Sequence, residues 1–148
     1  MALGEKLFEE IGQAAGFRIT KTHPVEGTTM EVSFTSDLKG VGKFPSGKNM
    51  GSGVVIQYPH GVVDGSYQGI LKTTDGEQVF WWAHEKGKVV AAERNGGGSS
   101  GDKIKSLIIV SAFTNSQKLS WINNLIMALE AERDLVSHHS KTVAYEWK

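Results

Sequence analysis

The chain reads as a mainly β protein, an antiparallel barrel of seven to eight strands. Three observations predict it. The segment Tyr67–Arg94 alternates apolar residues up to Thr74-Asp75-Gly76, a tight-turn signal, and resumes as an aromatic strand holding Trp81 and Trp82. Eighteen glycines against three prolines supply turns and bulges without breaking ladders. Short alternating segments recur with hairpin-length links, no repeat period and no domain-scale linker, so the 148 residues form a single domain. A sheet of this size avoids bare edges by closing on itself or pairing as a sandwich.

At the N-terminus, Leu3, Leu7, Phe8, Ile11 and Ala15 recur at helical spacing opposite Glu5, Lys6, Glu9 and Glu10. This predicts an amphipathic helix over 3–15, ended by Gly16 and covering a barrel end or sheet face. Short strands follow at Phe17–Thr22 and around Met30, Val32 and Phe34. Asp37–Gly42 reads as a bulge or bend. Gly51–Tyr58 is a strand with Val54, Ile56 and Tyr58 on one face, and Pro59-His60-Gly61 is a turn. The strand Val62–Thr73 sets Val63, Tyr67 and Leu71 on one face with Gly65 and Gly69 between them. Glycines on an inward face allow tight closure or leave room for a ligand.

After the aromatic strand, Lys86-Gly87-Lys88 reads as a second turn returning through Val89 and Val90. Asn95–Gly101 is a loop, and Ile104–Phe113 is a strand apolar on both faces. Ser116–Asn123 is predicted as a short helical turn and Leu125–Arg133 as a strand, although the apolar spacing there also suits a helix. Thr142–Lys148 alternates as the closing strand.

Lysine plus arginine and aspartate plus glutamate each total 16, so the formal charge is zero. This predicts no nucleic-acid or anionic-membrane partner and leaves self-association into a homo-oligomer unopposed by charge. Cysteine is absent, which removes thiol catalysis and thiolate metal sites and suits a cytoplasmic location. No segment reads as a signal peptide or membrane helix. No cofactor or metal is expected, since the five histidines lack convergent ligand spacing.

GEK at Gly4–Lys6, the glycines at 12 and 16, MEVSF at Met30–Phe34 and YQGILKTTDGE at Tyr67–Glu77 resemble an uncharacterised prokaryotic protein family. SQKLSWINN at Ser116–Asn124 and the terminal YEWK fit it too. That family has no assigned activity. Its pattern is similar to lipocalin-like and allene-oxide-cyclase-like barrels, and the resemblance implies a strand after Ser-x-Lys-Leu.

Gly96–Lys103 is a near miss for a phosphate loop, with the lysine one position late and a strand where the required helix should begin. His84 and Glu85 are adjacent on a strand and so face opposite ways. His84 shares a face with Phe80 and Trp82, Glu85 with Trp81 and Ala83. Glu130, Glu132 and Arg133 offer another set, with Glu130 and Glu132 on one face; paired inward carboxylates could do acid–base work, while a solvated outer face is the ordinary outcome. No catalytic set is assigned. The expected ligand site is Tyr67, Trp81, Ala83, Glu85, Glu93 and Arg94, aromatics for stacking and charges for orientation, and the expected partner is a small apolar or amphipathic molecule. A cyclase- or isomerase-type enzyme in the same cavity and a structural module without ligand are the alternatives.

Overall fold

A computed structural model describes residues 3–91 and 102–148. Among them the chain forms eight strands: β1 Leu3–His23, β2 Gly27–Gly40, β3 Gly47–Gln57, β4 Val62–Thr73, β5 Gln78–Val90, β6 Lys103–Phe113, β7 Ile126–Asp134 and β8 His139–Trp147. Each pairs antiparallel with its sequence neighbours, and β8 pairs back onto β1, closing the barrel. The hairpin at Thr74-Asp75-Gly76 forms as the sequence predicts. Gly76 holds φ at 86° and donates its N–H to the Thr73 carbonyl at 3.0 Å.

The predicted N-terminal helix over 3–15 is not formed. Those residues are the first half of β1, whose ladders to β2 and β8 a closed barrel requires. Register shifts at Leu3/Lys6, Lys6/Phe8 and Ala14/Gly16 interrupt the two-residue alternation. Each bulge moves the next apolar residue by one position, so a dephased strand imitates helical spacing. Gly16 is therefore a ladder residue opposite Ser33, not a helix cap. The separate strand at Phe17–Thr22 is the continuation of β1.

The turn expected at Lys86-Gly87-Lys88 is also absent, since β5 runs straight through it. A Cβ on Gly87 would lie 2.3 Å from Ser106 Oγ, so glycine here answers a close inter-strand approach. On β3 the inward residue is Val55, while Val54 is 47% exposed. The face carrying Val54 and Ile56 is thus the outer one. The Asn95–Gly101 loop lies outside the described residues.

One barrel end is plugged. Between β6 and β7 a 3-10 turn at Ser120–Asn124 sends Ile122 fully inside, beside buried Leu119 and Phe44. Phe44 stacks tilted on Phe8 at 4.9 Å and meets Trp121 edge-on at 6.0 Å. The Asn123 amide ties the turn to the barrel by accepting from Thr114 N at 2.7 Å and donating to the Thr114 carbonyl at 3.2 Å. Apart from this plug, Val55, Val63 and Ile104 form a second buried apolar cluster, and a cavity remains inside the barrel.

Candidate functional site

The site begins with four glycines. Gly51 and Gly53 on β3 and Gly65 and Gly69 on β4 face the lumen. A Cβ on Gly69 would sit 2.3 Å from Trp81 Cζ2, and one on Gly53 would sit 2.6 Å from Tyr67 Cδ1. The glycines are thus the bare wall against which two large rings lie flat. The rings take wall space and leave lumen space: a cavity of about 340 Å³ runs inside the barrel, walled by Phe34, Val55, Ile108, Val110 and Leu129 among others. Such a volume is in the range of small-molecule sites.

Two polar stations interrupt this apolar lining. At the first, Trp81 Nε1 donates to Asn49 Oδ1 at 2.7 Å, and Asn49 Nδ2 donates to Glu10 Oε2 at 2.7 Å. Indole N–H is only a donor, so it fixes which way the Asn49 amide faces. The Ser36 hydroxyl also donates to Glu10 Oε2. Burial pushes the Glu10 carboxyl above its ordinary range, and the Ser36 and Asn49 hydrogen bonds only partly offset that.

At the second station the Tyr67 hydroxyl donates to Glu85 Oε1 at 2.6 Å. Glu85 is 4% exposed. Burial first, then the neighbouring Glu85 charge, pushes the Tyr67 phenol well above its usual value, with the Arg133 side chain acting in the opposite sense. Phe34 sits between the stations, 5.9 Å from the Trp81 ring and 6.1 Å from the Tyr67 ring.

Of the residues expected from sequence, Tyr67, Trp81, Ala83 and Glu85 all line this one cavity. Glu93 and Arg94 lie outside the described residues, as does most of the near-miss phosphate loop. Glu10, Ser36 and Asn49 were not anticipated, and Arg133, expected in a set with Glu130 and Glu132, lines this cavity instead. The alternation Phe8-Glu10-Gly12-Ala14 was the available signal for Glu10, and the bulges masked it.

Glu130 and Glu132 point outward, and Glu132 pairs with Lys105 at 3.4 Å. Also outside, His84 bridges Asp64 at 3.2 Å and Ser66 at 3.3 Å. That order of groups suggests a nucleophilic triad, but the cluster is solvent-exposed. Its strands sit inside the ladder, so their backbone N–H groups do not gather as oxyanion donors. Among the described residues, no three histidine, aspartate or glutamate side chains converge as metal ligands. Likewise, no described helix is long and apolar enough to cross a membrane.

No protein-family model matches the chain, and no curated protein matches it. Solved structures do. A protein of unknown function from Clostridium acetobutylicum is similar over 100% of both chains, with a TM-score of 0.80 at 17% identity. A β-barrel-like protein from Acinetobacter baumannii reaches 0.75 at 19% identity, covering 99% of this chain and 96% of its own. An enzyme from Penicillium herquei reaches 0.63 at 15% identity, covering 98% and 94%. At these identities the likeness is one of fold, and it sets the chain among closed β-barrels whose members include proteins of unknown function.

Proposed function

We propose that the barrel binds a small, largely apolar molecule non-covalently in its lumen, in the manner of lipocalin-like or allene-oxide-cyclase-like barrels. The observation that carries this reading is the apolar cavity of about 340 Å³ with polar groups at two separated stations. A guest with an oxygen near each end, joined by a flat apolar body, would satisfy both. Native mass spectrometry of protein purified from its own host tests it. The expected result is a bound mass that is lost on denaturation. A barrel that carries nothing and does not take up an apolar fluorescent dye overturns it.

An isomerase- or cyclase-type enzyme is the second reading, favoured by the two buried carboxyl groups sharing one cavity. The outer face supports self-association. Met50, Ile70, Phe80 and Phe113 are direct cross-strand neighbours on four adjacent strands, with Trp82 51% exposed beside them. This uncharged stripe on a chain of zero net charge suits a second copy of itself. Light scattering should give a dimer mass, and Phe113→Ser should return it to monomer without loss of folding.

A further inference from the structure

We propose that Glu10 is a general acid–base residue that moves a proton on a planar, unsaturated, oxygen-bearing substrate in the lumen. This rests on the ligand-binding reading above. The geometry carries it. Both hydrogen bonds to Glu10 end on Oε2, and among the described residues Oε1 has no hydrogen-bonding partner although Glu10 lines the cavity. Trp81 holds Asn49 so that its amide can only donate to Glu10. Oε2 is therefore occupied by donors and Oε1 is the oxygen that gives or takes a proton.

The other ionisable groups of the lining are Tyr67, Glu85, Arg133 and His138, with outward-facing Glu132 only at its border in ion pairs to Lys103 and Lys105, and none of them hydrogen-bonds Glu10. Its proton is not locked in an ion pair. Burial raises its affinity for that proton, which suits a carboxyl to proton exchange with a guest. The rings of Phe34, Trp81 and Tyr67 favour a flat conjugated guest. The chemistry is redox-neutral. Ionised Oε1 removes a proton from the guest, the electron pair moves into the guest's conjugated carbonyl, and the same proton returns at another atom. The product is an isomer, open or cyclised.

A generic proton-abstraction probe, 5-nitrobenzisoxazole, tests this. The base takes the C3 proton, the N–O bond breaks with its electron pair going to oxygen, and a nitrile and a coloured phenolate form. Wild-type protein should show saturable turnover that rises with pH as Glu10 ionises. Glu10→Gln should cut kcat about 100-fold or more, with probe binding, read by quenching of tryptophan emission, unchanged. Glu10→Asp, which keeps the carboxylate but shortens its reach, should fall between the two. Binding intact with turnover equal in wild type and Glu10→Gln overturns the role of Glu10 and leaves the binding reading standing. Should Glu10→Gln fail to fold, Glu10→Asp turning over like wild type overturns it equally. Neither saturable binding nor turnover in wild type removes both readings.

Discussion

Two buried glutamates face the same lumen and are held in different ways. Glu85 accepts from a phenol that also feels Arg133, so a cation is part of its surroundings. Glu10 is held by a serine hydroxyl and an asparagine amide, with no cation among the groups that shift it. Neutral donors satisfy the oxygen they touch but do not cancel the cost of burying a charge. The Glu85 carboxylate is engaged by the Tyr67 phenol as part of the architecture. A carboxyl held only by neutral dipoles is suited to exchange its proton with a guest.

The strongest way to break this contrast is to attack the wall behind one station. In Gly69→Ala the new Cβ would meet the Met50 carbonyl as well as Trp81, each at 2.3 Å. Urea unfolding should show a loss of about 3 kcal/mol, the upper range for overpacking. Next, Tyr67→Phe strips Glu85 of its donor while keeping the ring against its glycines. It should cost about 2 kcal/mol, as expected when a buried acceptor is left unmade, and leave the Glu10 station untouched.

A smaller effect is expected from Trp81→Phe, which deletes the N–H that orients Asn49. Stability should drop by about 1 kcal/mol. The same change should shift the pH profile of probe turnover, because Asn49 becomes free to turn its oxygen toward Glu10.

The mildest variant is the most diagnostic. Glu10 binds its proton more tightly in the folded than in the unfolded chain. The associated stability is therefore complete below the unfolded carboxylate range and is lost as pH rises through the higher folded value. Glu10→Gln cannot ionise, so its melting temperature should overtake that of wild type progressively toward alkaline pH. Parallel melting curves for the two proteins across that range would show that Glu10 is not strained by burial.

Most of the barrel was legible because its strands alternate cleanly. The tract Val62–Val90 carries inward Tyr67, Trp81, Ala83 and Glu85 in unbroken phase, and those four share the cavity. The strand after the Ser116–Asn123 turn was expected from Leu125, and it starts at Ile126. What could not be read was β1. Its four register shifts, three of them at or before Ala14/Gly16, scramble the alternation, which turned a strand into an apparent helix and put Glu10 on that helix's polar side. Ser36 and Asn49 were hidden for another reason. They are ordinary polar residues in their own strands, and only the cross-strand pairing Ser36↔Asn49 reveals that they converge. Arg133 likewise takes its meaning from Tyr67, which is distant in sequence. Lys86-Gly87-Lys88 misled because glycine flanked by charges signals a turn locally, whereas here it clears a path for the next strand.

The great length of β1 has a consequence for how the barrel breathes. From Phe8 to Gln13 it is laddered on both sides, to β2 and to β8; from Gly16 to His23 its only strand partner among the described residues is β2. Residues Ala15–Glu26 are all exposed, so this tongue has half the ladder and little burial to hold it. Amide deuteration should therefore run down a step at the Ala14/Gly16 bulge, quick beyond it and slow before it. Phe17, which belongs to both the tongue and the cavity lining, would then be the first wall residue to come away when the barrel loosens.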